Sequence, residues 1–346
     1  MQKRNIFVLA MFFMLFFTRC GRFSGTSAVN LSGMGNSFAQ PFYHLIFSNY
    51  SRDTGIEITY SDPCNSNGIR SFRDKTVDFV ISNALLTPKE LAEFHSEVLQ
   101  IPVVLGAISL AYNIPNVKQL NLTSVILAAI YTSQITYWDD EAIVAVNSGV
   151  SLPHLAITPV YRSDEAGSTQ TFSLFLSQDN AWWEKQMGIS KQLNFSKGLA
   201  AQSSLAVASL VENTQGAIGY ISLEYATSFK LPVAAVQNSS GAFIQPNPDT
   251  ILNATIDDGS TNLLTTLIRS EQTNAYPICC YSWIIVYRNQ AYGGRDEAKY
   301  ESMKSLLNYL IGEEAQKTAK LLIYTPLPQK VVEQAKQLIH TMEWQS

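Results

Sequence analysis

The residues best equipped for chemistry in this 346-residue chain form one run, Val160-Tyr161-Arg162-Ser163-Asp164-Glu165-Ala166-Gly167-Ser168-Thr169-Gln170-Thr171-Phe172. An apolar stretch from Ile157 to Tyr161 feeds an arginine, then a turn of small residues, then Thr169 to Leu176 at helical spacing. A strand-loop-helix step of this kind leaves backbone N–H groups unpaired at the helix start. Those donors and the helix dipole favour a negative group. Arg162 adds a planar cation whose fork matches two oxygens of a tetrahedral oxyanion. Asp164 is spaced to orient that fork, and Ser168 and Thr169 offer hydroxyls. The same residues also fit a plain capped helix with a surface Arg–Asp pair, because Gly-Ser turns are common.

Two earlier loops have the same character. Ser32-Gly33-Met34-Gly35-Asn36-Ser37-Phe38-Ala39-Gln40-Pro41 ends with a proline suited to a first helical turn, and Phe42, Leu45, Ile46 and Tyr50 follow at helical spacing. Ile56 to Tyr60 alternates like a strand and runs into the polar loop Ser61-Asp62-Pro63-Cys64-Asn65-Ser66-Asn67-Gly68, before a helix expected over Ile69 to Lys75. Thr76 to Ser82 reads as a short buried strand carrying one acid, Asp78. A carboxylate beside an anion site repels a fully ionised ligand but accepts a hydrogen bond from a protonated one. A turn or capping role for Asp78 is the plainer alternative.

Further along, Val103 to Asn113 and Tyr276 to Tyr287 read as strands that cross between two lobes. Tyr137-Trp138-Asp139-Asp140-Glu141 opens a capped helix, Gln215 to Ile221 is a turn and strand, and Glu301–Tyr324 and Val331–Trp344 read as helices. The alternation predicts an α/β protein with mostly parallel sheets and a ligand cleft at the carboxyl ends of the strands. Residues 28–107 with 280–346 are expected to form one lobe, and 108–279 the other. Residues 1–27 read as an address: a basic start, then an apolar stretch of thirteen residues from Ile6 to Thr18, the length of a signal-peptide core. Cys20 raises a lipidation reading, which Arg19 opposes, and an uncleaved amino-terminal anchor is the other alternative. The chain is therefore expected in the periplasm or outside the cell.

A net charge of −4 with 15% charged residues offers no basic face for nucleic acid. The four histidines are scattered and no Cys/His spacing suits a metal, so no cofactor is expected. Cys64 is a candidate partner for Cys279 or Cys280 in a disulfide. Sequons stand at Asn30, Asn49, Asn121, Asn194, Asn238 and Asn253, and matter only in a host that glycosylates secreted proteins.

Several motifs in one order carry a resemblance over nearly the whole mature chain. Gly33 to Pro41, Thr76-Val77-Asp78-Phe79 with Ser82, Tyr137 to Ile143, Arg162-Ser163-Asp164 with Gly167-Ser168-Thr169, Gly216-Ala217-Ile218-Gly219-Tyr220, and Leu327-Pro328 with Val331-Val332-Glu333-Gln334 resemble the phosphate-binding proteins of ABC phosphate importers. The resemblance implies a type II periplasmic-binding-protein fold whose two α/β lobes close on inorganic phosphate. It gives Ser37 a hydroxyl role and Phe38 a backbone N–H role. It makes Asp78 the acceptor of the ligand's proton, which excludes sulfate, and makes Arg162 the anion ligand held by Asp164. Gly167 and Ser168 donate from the helix start. Two loops depart from the family pattern. Asn65 or Ser66 must replace a serine donor, and Ala166 keeps only its N–H where a hydroxyl is usual, with Glu165 beside it. The expected protein is a non-enzymatic monomer that captures phosphate for an ABC permease. A surface phosphate sensor or adhesion module is the alternative, and a phosphatase a weaker one, since no activated nucleophile is visible.

Overall fold

The computed structural model describes residues 29–61, 65–255 and 267–345. The address read over residues 1–27, with Cys20, and the loop residue Cys64 lie outside the described residues. Strands β1 (Asn30–Met34), β2 (Glu57–Ser61) and β3 (Phe79–Ser82) are followed by the long β4 (Val98–Tyr112). Then come β5 (Asn121–Leu122), β6 (Thr158–Arg162), β7 (Leu199–Ala201), β8 (Ala217–Ser222), β9 (Ala235–Gln237) and β10 (Phe243–Ile244). β11 (Leu267–Ile268) and β12 (Ile278–Tyr287) complete the set.

The main sheet runs β2-β1-β3-β12-β4-β8-β6-β7 with β11 against β12, and β10-β9-β5 make a small second sheet. β1 is parallel to β2 and β3, and β6 is parallel to β7 and β8. β4 and β12 are antiparallel to each other, β12 also to β3 and β4 also to β8. The sheet is therefore mixed where mostly parallel pairing was expected, because the two crossing strands run against their neighbours. β4 pairs with β12 up to Ala107 and with β8 from Ile108, so one strand serves both halves of the molecule. Every residue from Leu99 to Tyr112 is buried, as a strand covered on both faces requires.

Helices cover the sheets for readable reasons. Gln40–Thr54 starts with Pro41 in its first turn and ends at Gly55, whose φ of +75° lets its N–H reach the Ser51 carbonyl. Phe42, Tyr43, Ile46, Phe47 and Tyr50 are buried on one face, while Leu45, expected among them, is exposed. The helix expected before Tyr324 is two, Glu297–Leu310 and Glu313–Leu321, because Gly312 caps a new start. No helix among the described residues is long and apolar enough to cross a membrane. Asn238 is buried and donates its amide to the Thr273 and Ala275 carbonyls, so its sequon is inaccessible to a glycosylating enzyme.

At the partner change of β4, a Cβ on Gly106 would lie 2.7 Å from the Phe38 ring. Gly106→Ala should push that ring, and the loop carrying it, out of place. The expected loss is about 1–3 kcal/mol, the usual cost of overpacking. Urea unfolding of the variant beside wild type measures it.

Candidate anion-binding site

The loops that follow β1, β3, β6 and β7 meet at the carboxyl ends of those strands. From β1 comes Ser37, from β3 Asn83, from β6 Arg162 and Asp164, and from β7 Ser204, all buried except Asp164, which is 13% exposed. Arg162 is the last residue of β6, and Asp164 takes its fork through two bonds, Nε to Oδ1 at 2.6 Å and Nη2 to Oδ2 at 2.5 Å. That leaves Nη1, which reaches Ser37 Oγ at 3.2 Å and Ser204 Oγ at 3.4 Å. Ser37 Oγ also accepts the Ser204 N–H at 3.1 Å and pairs with Ser204 Oγ at 3.2 Å, the direction its own proton can take. The Arg162 backbone is pinned as well: its N–H donates to the Tyr220 hydroxyl, which pairs with Thr169 Oγ1 at 2.9 Å.

Helix Gly167–Asp179 begins beside this cluster. Its cap, Ala166, has extended backbone and no side-chain hydrogen bond to the first turn. Gly167 and Ser168 are buried, and their N–H groups precede the first intrahelical bond, made by Thr169 N to the Ala166 carbonyl at 3.1 Å. A buried helix start without a cap is costly unless something else accepts those protons. An anion is the natural acceptor. A Cβ at Gly167 would fall 2.3 Å from Asn83 Oδ1, so a larger residue there displaces that side chain.

The sequence expectations separate at this point. Ser37, Arg162, Asp164, Gly167 and Ser168 are brought together. Ala166 is present as the cap, but its N–H donates to the Lys191 carbonyl at 2.8 Å, so it is not a free donor. Phe38 is adjacent, and its N–H is held by Asn36 Oδ1 at 2.9 Å. The side chains of Asn65 and Ser66 lie outside the described residues. Thr169 spends its hydroxyl on Tyr220, and Glu165 lines an open groove of about 900 Å³ with Arg70, Arg73, Lys89 and Lys191, away from the cluster.

Asp78 is the clear departure. It stands just before β3, whereas the site lies just after it, about 16 Å along an extended chain. Its carboxylate is fully engaged there. Oδ2 accepts from the Ser32 N–H and hydroxyl at 2.7 and 3.1 Å, and Oδ1 meets Arg295 at 2.5 Å and Lys299 at 3.0 Å. The acceptor role expected of it has no geometric support. Cys279 and Cys280 are free, buried thiols whose pKa burial pushes up, with no bridge to brace the crossing.

Sequence reasoning missed Asn36, Asn83 and Ser204. Asn36 lies within the Gly33 to Pro41 motif, and Ser203-Ser204 before an apolar helix is a capping signature, with Ser203 Oγ accepting the Ala206 N–H. Asn83 carried no signal beyond following a strand. Glu224 was missed too. It lies in the first turn after β8, fully buried, beside Ser222 and Tyr324, whose hydroxyls donate to the Phe38 carbonyl at 3.2 and 3.3 Å rather than to it. Neither carboxyl oxygen completes a hydrogen bond, and burial pushes its pKa up to about 7. Among the described residues no group of three or more His, Cys, Asp or Glu side chains is placed to hold a metal.

The PBP superfamily domain matches residues 23–314. A phosphate-binding protein PstS of Xylella fastidiosa is 31% identical over 316 residues, 89% of this chain and 84% of its own. One from Methanocaldococcus jannaschii is 32% identical over 262 residues, 70% of this chain and 67% of its own. The chain belongs to the PstS phosphate-binding protein family. Solved structures share the fold of this family at low identity. A high-affinity periplasmic phosphate-binding protein bound with phosphate superposes with a TM-score of 0.72 at 17% identity, covering 89% of this chain and 93% of that one. A putative phosphate ABC transporter substrate-binding protein from Clostridium perfringens gives 0.63 at 18%, covering 86% and 100%. The fold is the two-lobed type II arrangement of periplasmic binding proteins, and family membership places the protein among binding proteins, not enzymes.

Two outcomes follow from these placements. Asp78→Asn leaves Arg295 buried without its counter-charge and should cost about 3–5 kcal/mol of stability, while anion affinity in the folded fraction stays unchanged; urea titration and calorimetry separate the two. Glu224 binds its proton more tightly folded than unfolded, so its contribution to stability is full below the ordinary glutamate range. It is lost as pH rises through about 7. The wild-type urea midpoint should fall across that window and the Glu224→Gln midpoint should not.

Proposed function

We propose that the protein captures inorganic phosphate between its lobes, outside the cytoplasm, and delivers it to the membrane subunits of an ABC phosphate importer. The observation that carries this reading is the uncapped, buried start of helix Gly167–Asp179 beside a buried Arg162 whose fork is already oriented by Asp164. Phosphate supplies the acceptor that those donors lack. Ser37 donates its hydroxyl from the opposite lobe, Arg162 turns Nη1 toward the ligand, and Gly167 and Ser168 donate N–H groups. Ser204 completes the ring, and Phe38 and Ala166 shape the two loops.

The same contacts explain closure. Ser37 meets Arg162 and Ser204 across the cleft, Ser222 meets the Phe38 carbonyl, Tyr225 meets Gln40 at 3.0 Å, and Lys191 pairs with Glu90. A ligand gripped by both sides favours the shut form because only that form offers the full set of donors. We place the hinge where β4 changes partner, between Ala107 and Ile108, and beside it at Cys279 and Cys280 of β12. Residues 28–107 with 280–346 then move against 108–279 as a monomer. Neither the relatives nor the site favours a sensor, an adhesion module or a phosphatase.

Calorimetry with inorganic phosphate on wild type and Arg162→Ala tests the assignment. The variant removes one charged partner of a buried set and should weaken binding at least about thirtyfold, corresponding to about 2 kcal/mol or more. Equal affinity in the two proteins would remove Arg162 from the site and the reading with it.

A further inference from the structure

We propose that Asn83 donates its side-chain amide to the bound oxyanion, and that the cradle presents donors alone and holds sulfate as well as phosphate. This rests on the phosphate-binding reading above and names the ligand class that the same site takes.

The orientation of the amide is fixed by a backbone group that cannot be turned round. The Phe38 N–H donates to Asn36, so the atom it meets must be Oδ1, which leaves Asn36 Nδ2 to donate to Asn83 at 3.0 Å. Asn83 must therefore present Oδ1 to Asn36, and its Nδ2 faces elsewhere. That Nδ2 is buried and completes no hydrogen bond, on a residue 2% exposed. It lies against the first residue of helix Gly167–Asp179, 3.0 Å from where a Gly167 Cβ would stand. The Cys280 thiol beside the amide is a weak acceptor at best. A ligand oxygen held by the Gly167 and Ser168 N–H groups would supply the strong one.

Three of the acids nearest the cradle are turned to other partners or to the outside. Asp164 gives both oxygens to Arg162, Asp78 gives its own to Ser32, Arg295 and Lys299, and Glu165 faces the outer groove. Glu224 neighbours Ser222, Tyr324 and Cys280, and among the described residues no hydrogen bond joins it to Ser37, Arg162 or Asn83. A carboxylate can pair only with a ligand oxygen that bears a proton, and so rejects sulfate. An amide N–H pairs with any bare oxygen. With Asn83 in that place the ligand is read by shape and charge, not by its proton.

Calorimetry of the full chain with inorganic phosphate and with sulfate, on wild type, Asn83→Asp, Asn83→Ala and Glu224→Gln, tests this. Wild type should bind sulfate within about tenfold of phosphate. Asn83→Asp should keep phosphate and lose sulfate by at least about tenfold, and Asn83→Ala should weaken both about tenfold, the loss of one bond to a charged ligand. Wild type that binds phosphate but takes sulfate at least about a hundredfold more weakly overturns the proposal. If Glu224→Gln then admits sulfate, the proton is read there instead. Unchanged affinities in Asn83→Ala also overturn it. Failure of wild type to bind either anion defeats the phosphate reading itself, which is a different result from selective binding.

Discussion

A guanidinium buried to 4% exposure is the constraint on which the site depends. Taking such a charge out of water costs several kcal/mol after relaxation, so every part of the fork must find a partner. Asp164 satisfies one edge with two short parallel bonds, and two residues of spacing are enough for it to do so from the same strand end. The remaining nitrogen is committed to hydroxyls from both sides of the cleft. Because the planar fork is held along one edge, its direction is set before any ligand arrives. The Tyr220 hydroxyl, taking the Arg162 N–H and paired with Thr169, ties the strand end to the helix start at the same point. The cradle is therefore stiff where the charge is and soft where hydroxyls rotate.

The second constraint is topological. Parallel strands on each side of the sheet end at the same level, and the loops after them carry helix starts that converge. Four strand ends from two lobes supply one small volume, which is why residues as far apart as Ser37 and Ser204 share a hydrogen bond. The mixed pairing at β4 and β12 does not disturb this, since those strands form the spine and contribute length instead of donors.

Much of this was legible in the chain, and the failures are informative. Arg162, Asp164, Gly167 and Ser168 were found because a charge, its partner and a small-residue turn sit within seven positions on one segment. Ser37 was found because two glycines and a proline mark a loop entering a helix. Asp78 misled because its neighbours resemble a motif and its type suits a role, yet a strand of four residues separates the two ends of β3 and only one end faces the cleft. Position along the strand decides that: the carboxyl end faces the cleft, and Asp78 stands at the amino end, where burial on both faces hides the difference. Asn83 and Glu224 were invisible for a related reason: their significance is burial without a partner, a property of the assembled molecule. The division of the late helix at Gly312 was also missed, since one glycine in a helical pattern is usually tolerated.

The position of β12 bears on how the chain is made. In the finished sheet it lies between β3 and β4, although about 165 residues separate the end of β4 from the start of β12. Synthesis runs from one end, so β3 and β4 emerge long before the strand that fills the gap between them. Until then each carries an unpaired, apolar edge of the kind that invites association with other chains. The segment between β4 and β12 is continuous and can settle as it appears, while the half containing β1 to β3 waits for the carboxyl-terminal part.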